Sequence, residues 1–180
     1  MNDRGTTLLE LMIVVFIIAV MASMGMPLLQ QQYAIREIES IARRFILHAQ
    51  FARQQALHLG TSIRITPLEG NNWNSGWIVG GECREGGYLI PCDQGLTFSQ
   101  GAITPIYFKG VAKQWNHQKN SQNGITFNAA GAAKTSHGGF LASRMILGRL
   151  GSPGLERHLI LSSGGRWRIC DPSADTKACR

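Results

Sequence analysis

Three groups of residues in this chain carry chemistry beyond packing. Glu10 opens an apolar stretch in which Leu11 to Leu29 carry no charge. A carboxylate costs a few kcal/mol or more inside hydrocarbon, so an acid there marks a functional position. Near the other end, Gly164-Gly165-Arg166-Trp167-Arg168 sets two arginines two positions apart. Residues i and i+2 of a strand share a face at about 6.5–7 Å, so Arg166 and Arg168 point one way and Trp167 and Ile169 the other. Two planar guanidinium forks on one ridge suit adjacent phosphates of a nucleic-acid backbone. The glycine pair before them supplies a tight turn whose backbone donors stay accessible to an anion. The third group is four cysteines, Cys83/Cys92 and Cys170/Cys179, in two equally spaced pairs.

The cysteines form no CxxC, and none has a histidine at zinc-finger spacing, which argues against a metal site. Short-loop disulfides in an oxidising compartment fit better. Sequence alone allows three pairings; the local one closes two surface loops with least distortion elsewhere, and its second bridge ties down the C-terminus. The histidines (His48, His58, His117, His137, His158) have no ligand-like spacing, Ser136-His137 and Ser162-Ser163 lack a nucleophile-elbow context, and no phosphate-cradling GKS/T loop occurs. The expectation is a non-catalytic chain without cofactor. A net charge of +7 in 180 residues points to anionic partners. Residues 141–180 hold seven cations (Arg144, Arg149, Arg157, Arg166, Arg168, Lys177, Arg180) against Glu156, Asp171 and Asp175, a local excess of +4. Arg157, Lys177 and Arg180 would widen an anion-binding patch if the fold gathers them.

The elements that must position these groups divide the chain near Gly60. The apolar run nearly spans a ~30 Å hydrocarbon core as a helix rising ~1.5 Å per residue. Beyond Pro27, Ile35, Ile38, Ala42, Phe45, Ala49, Ala52, Ala56 and Leu59 recur at spacings of three and four, one apolar helical stripe. Pro27 is expected to kink the helix and Gly60 to stop it. Short extended runs follow at 62–66, 76–79, 96–98, 103–108, 125–127, 140–147, 158–162 and 166–170, separated by Gly, Asn, Pro and Ser. Their spacing argues for antiparallel sheets packed on the helix. Lys109 to Gly124 is the longest polar stretch and reads as a flexible loop, where Trp115 and His117 are exposed aromatics; Trp73, Trp77 and Trp167 read as core.

Three readings compete for the N-terminus: a secretory signal cut near Val20-Met21-Ala22, a plain single-pass anchor, or a class III leader cut after Gly5 that leaves the apolar stretch on the mature chain. The weak charge of the first five residues and the acid at position 10 oppose the first, and the second leaves Glu10 unexplained. Gly5-Thr6-Thr7-Leu8-Leu9-Glu10 resembles the prepilin consensus, departing from it at Thr6, where pilins usually carry Phe or Met. Further blocks resemble the GspH/FimT family of minor pilins and pseudopilins: Trp73-Asn74-Ser75-Gly76-Trp77-Ile78-Val79, Gly124-Ile125-Thr126-Phe127 with Gly131, and Arg157 to Ser162 with Gly165-Arg166-Trp167-Arg168.

The resemblance implies an α+β, lollipop-shaped pilin fold, a long N-terminal helix packed on a domain of two small antiparallel sheets. Residues 1–5 would be the leader, 6–30 the transmembrane half of the helix, 31–60 its amphipathic half, and 61–180 the β-rich globular domain. It implies cleavage between Gly5 and Thr6 by a prepilin peptidase, inner-membrane insertion with the domain periplasmic, and assembly with other pilins into an extracellular filament. Glu10, one turn from the new Thr6 amine, would neutralise that amine on a neighbouring subunit; the alternative is a protonated Glu10 that only hydrogen-bonds. Gly165-Arg166-Trp167-Arg168 resembles the C-terminal motif of FimT-type pilins, which implies sequence-independent DNA binding during natural transformation. The rivals are a structural minor pilin that primes pilus assembly and an H-type pseudopilin of type II secretion.

Overall fold

The computed structural model describes residues 7–85, 88–92, 98–111, 124–134, 139–175, 177 and 179; positions 24–25, 27–28, 81–85, 88–92 and 110–111 are described as backbone alone. One helix, α1 (Leu8–Leu59), begins at Thr7, whose hydroxyl accepts from the Glu10 backbone N–H at 3.4 Å, and ends at Gly60 in the left-handed conformation (φ 66°). Glycine reaches that conformation without the Cβ clash that other residues meet there. The helix continues through Pro27.

The two halves of α1 have opposite surroundings. Every large hydrophobic side chain from Leu8 to Ile18 is at least 50% exposed. This half projects from the domain. Among the described residues, no helix is long and apolar enough to cross a membrane. The other half buries Ala34, Ile38, Ala42, Phe45, Ala49, Ala52 and Ala56. At its ends the observed stripe departs from the sequence pattern: Ala34 is buried where Ile35 was expected, and Leu59 is 49% exposed because the helix has run past the sheets.

Among the described residues ten strands follow: β1 (Ile63–Glu69), β2 (Asn72–Glu85), β3 (Tyr88–Cys92), β4 (Phe98–Gln100), β5 (Ile106–Val111), β6 (Ile125–Phe127), β7 (Ala133–Lys134), β8 (Ser143–Arg149), β9 (Glu156–Leu161) and β10 (Trp167–Cys170). They form two sheets, ordered β3-β2-β1-β6-β7 with β4 also on β2, and β10-β9-β8-β5. All pairings are antiparallel. The fold is the α+β lollipop that the sequence implied. β3 and β7 were not foreseen, while Lys109, placed in the polar loop by sequence, lies on β5. Positions 112–123 of that loop, with Trp115 and His117, fall outside the described residues.

Both sheets close on one aromatic ring. Phe45 meets Trp73 and Trp77 of β2 at 5.8 and 5.0 Å, Phe108 of β5 at 5.8 Å and Trp167 of β10 at 5.3 Å, all edge-on. Such pairs add about 0.5–1.5 kcal/mol each beyond burial. Asn74 of β2 ties the sheets directly, its side-chain oxygen accepting from the Phe108 N–H at 2.7 Å. Gly76 is required where β4 crosses, because a Cβ there would lie 1.9 Å from the Gln100 carbonyl oxygen. Replacing Phe45 with alanine should remove about 3–5 kcal/mol of stability. Urea unfolding of the full chain in detergent, followed by tryptophan emission, checks this; a loss under 1 kcal/mol would show that the ring is not shared between the sheets.

Candidate anion-binding face and C-terminal clamp

The β9–β10 hairpin carries the predicted arginine pair on a braced turn. Ser162 N–H donates to the Arg166 carbonyl at 2.9 Å, and Arg166 N–H returns to the Ser162 hydroxyl at 3.1 Å. Gly165, at φ 78°, is buried against the Gly131 carbonyl and the Arg53 side chain; a Cβ would sit 2.4 Å from that oxygen. Arg53 Nε in turn donates to Gly131 O at 2.8 Å. The last turns of α1, the β6–β7 turn and the β9–β10 turn therefore meet at one point, at the end of α1 opposite its apolar half. The sequence expectation for Gly165 is corrected in one respect: its N–H donates to Ser162 O at 2.9 Å and is not offered to an anion. Its contribution is close approach.

Arg166 and Arg168 are exposed, whereas Trp167 is half-buried against Phe45. Strand β10 is the edge of its sheet. Across that sheet Arg168 lies opposite Ile160, which lies opposite Arg144, so Arg168 and Arg144 share a row on the outer face. Arg144 is exposed and Nη1 donates to the Cys179 carbonyl at 3.2 Å. Lys177 is exposed, its N–H held by Asp175 at 2.9 Å. Arg180, Gly5 and Thr6 lie outside the described residues, and Glu10 is exposed in the first turn of α1.

Arg157 does not join the patch. It is 8% exposed; Nε contacts Glu39 at 3.1 Å, and Nη1 reaches Asp171 at 2.9 Å and the Glu156 carbonyl at 2.9 Å. Glu39 belongs to α1 and Asp171 follows β10, so Arg157 clamps helix, sheet and C-terminal segment together. A hydrogen bond from the Ser173 hydroxyl, aided by the Ser173 N–H and Arg157, holds the Asp171 carboxyl below its ordinary range. Arg149 is similarly bound to Glu37 at 2.7 Å. Neither partner was visible in the sequence, because each carboxylate lies more than a hundred positions away.

Cys170 and Cys179 form the expected local disulfide, Cα to Cα 5.6 Å. Cys83 opposes Ile90 and Cys92 opposes Gly81 in the β2–β3 ladder, but the side chains of this second pair lie outside the described residues. The closed C-terminal loop covers His158, which sits opposite Cys170. Their proximity could not be read from linear spacing; the antiparallel register creates it. Burial and then Arg144 lower the His158 pKa, against the opposing pull of Glu156. His48 is also lowered, by burial and then Arg44, and its Nδ1 accepts from Trp77 Nε1 at 3.0 Å.

The model of the type II transport protein GspH matches residues 42–165, and the prokaryotic N-terminal methylation motif matches residues 1–26. The chain belongs to the GspH family. Its fold is shared with the type IV minor pilin FimU of Pseudomonas aeruginosa strain PAO1 (20% identity, 77% of this chain and 91% of that one, TM-score 0.55). It is also shared with the minor pseudopilin EpsH from the type 2 secretion system of Vibrio cholerae (9% identity, 76% and 98%, TM-score 0.54). No curated protein sequence matches. Within the GspH family frame the chain is a minor pilin or pseudopilin with a prepilin-type N-terminus.

Two stability predictions follow from the side-chain partners. Arg157→Ala removes the shared partner of Glu39 and Asp171, which keep water, Arg43 and Ser173, and should cost about 1–3 kcal/mol, whereas Arg166→Ala, at the surface, should stay within about 0.5 kcal/mol; equal effects in urea unfolding would refute the clamp. For pH, folded His48 binds a proton less readily than unfolded His48, whose ordinary pKa is 6.5. The unfolded state therefore holds more protons, and stability is full above about 6.5 and falls as pH drops below it. His48→Gln, which retains an acceptor for Trp77, should reduce that decline when melting temperatures are compared between pH 7.5 and 5, leaving the part that His158, lowered in the same direction, contributes.

Proposed function

We propose that this chain is a minor pilin of a type IV pilus that binds DNA through its β9–β10 hairpin during uptake in natural transformation. The observation that carries the reading is the division among the arginines. Arg157 is buried and Arg149 half-buried against α1, while Arg166 and Arg168 are exposed to solvent at the β9–β10 hairpin. Arg144 extends the row, and Lys177 adds a cation on the C-terminal segment. Contacts of this kind bind phosphate without reading sequence, weaken steeply with salt, and gain from many subunits engaging one strand.

In this reading prepilin peptidase cuts after Gly5, the Thr6 amine is methylated, and the apolar half of α1 holds the subunit in the inner membrane with its domain in the periplasm. The run of exposed apolar side chains from Leu8 to Ile18 supports the assignment. On assembly, Glu10 neutralises the Thr6 amine of a neighbouring pilin, which removes two charges that are each costly in lipid. Replacement of Glu10 by leucine should abolish incorporation into filaments, measured by immunoblotting sheared pili.

A second reading, an H-type pseudopilin of type II secretion, is favoured by the family model itself and by the likeness to EpsH. DNA binding separates the two. The full chain in detergent should shift random duplex DNA, and Arg166→Gln/Arg168→Gln should remove most of the shift. The slope of log affinity against log salt should also fall by roughly 2, about one per lost phosphate contact. A folded double variant that binds as wild type would leave the secretion or assembly-priming role in first place.

A further inference from the structure

The loop that closes on His158 brings together a second set of donors. The ligand atoms of His158, Cys170 and Cys179 all lie within 4.8 Å of one another, and all three side chains are buried. They come from β9, from β10 and from the segment beyond it, and the ladder sets Cys170 directly opposite His158. His158 is 9% exposed, and its Nδ1 is buried without a hydrogen-bond partner. Its other ring nitrogen, Nε2, faces the Glu156 carboxylate at 3.9 Å. A buried imidazole whose Nδ1 has no partner leaves that nitrogen open to a ligand, and Glu156, beyond hydrogen-bonding distance of Nε2, favours the ring by charge alone.

We propose that reduction of the Cys170–Cys179 disulfide converts this cluster into a binding site for a thiophilic divalent cation of the zinc type. The ligands are the two thiolates and His158 Nδ1, with water completing a tetrahedron. Reduction by a dithiol passes two electrons and two protons to the S–S bond, leaving two thiols and an oxidised dithiol. Metal binding then releases both thiol protons to solvent. Zn–S bonds of about 2.3 Å and Zn–N bonds of about 2.0–2.1 Å place tetrahedral ligands roughly 3.5–4 Å apart, inside the observed span. Contacts other than the disulfide hold the loop over the site. Arg144 donates to the Cys179 carbonyl at 3.2 Å, and Arg157 pairs with Asp171 at 2.9 Å. Breaking the S–S bond therefore leaves both sulfurs near His158, and the metal replaces the covalent pin on the C-terminal segment. In the oxidised chain the sulfurs are bonded to each other and the site is closed.

The test uses the full chain in detergent with Cys83→Ser/Cys92→Ser, so that only the loop cysteines remain. After reduction with a phosphine, cobalt(II) is added as the spectroscopic probe, then zinc(II) in competition with a chromophoric chelator. The expected result is one cobalt per chain, with a thiolate charge-transfer band and the visible bands of a tetrahedral ion, all displaced by zinc. The unreduced protein should show neither. His158→Gln should weaken zinc binding by more than about 100-fold, beyond the 10–100-fold that loss of an outer hydrogen-bonding partner gives. Its fold is checked by the return of the disulfide on oxidation and by unchanged tryptophan near-ultraviolet dichroism. Absence of the charge-transfer band in the reduced parent would overturn the proposal. So would zinc affinity unchanged in folded His158→Gln, which would make the two thiols a chelate without the histidine.

Discussion

Everything in this domain leans on how closely one helix approaches two sheets. Ala42, Ala49, Ala52 and Ala56 are fully buried along α1, and at each the side chain is a single methyl group. Small residues let the helix backbone approach the strands, which larger residues would hold off at a longer distance. Phe45 is set among them and reaches aromatic residues of β2, β5 and β10. A leucine-rich stripe would bury more area but would force the sheets apart. Interiors pack at crystalline density, so added methylenes there strain the structure more than they stabilise it.

The same geometry explains which parts of the fold were legible. The helix was legible because alanines and isoleucines recur with its period, and its stop because a glycine follows, the residue suited to the left-handed conformation that Gly60 adopts. Strand β6 falls on the expected residues, Ile125–Phe127. β3 was hidden by Pro91, which reads as a breaker, yet β3 is the edge of its sheet, where proline is tolerated. β7 has two residues, too few for any alternation to show. The stripe's ends could not be placed, because periodicity says which helix face is buried but not where the sheets stop covering it. Ala34 and Leu59 record that limit.

Charge was legible as a sum and not as a surface. A local excess of cations near the C-terminus is a property of composition, and it counts Arg157 equally with Arg166. Removing a guanidinium from water is costly, and the chain offsets that cost for Arg157 by supplying Glu39 and Asp171. The partners lie on α1 and beyond β10, so only the tertiary fold separates a clamp from a contact residue. Alternation along β10 gave the correct division at Arg166, Trp167 and Arg168, because a strand's two faces are fixed by its own sequence. His158 and Cys170 show the opposite case, a juxtaposition produced by register.

The long helix also separates two incompatible environments. At about 1.5 Å per residue, its 52 residues extend roughly 78 Å. One end presents uncovered apolar side chains, and the other supports the turn that carries Arg166 through Arg53 and Gly131. Burial of one end in lipid or among other helices does not disturb the other, since the domain between them is packed around α1 itself. The turn is fixed by its own hydrogen bonds and by Gly165 pressed against Gly131. Arginines mounted on a fixed turn lose little backbone entropy on meeting an anion, which favours contact by weak individual sites. Such a scaffold needs no conformational signal between its ends. The helix sets where the hairpin stands, and the hairpin's own packing sets its shape.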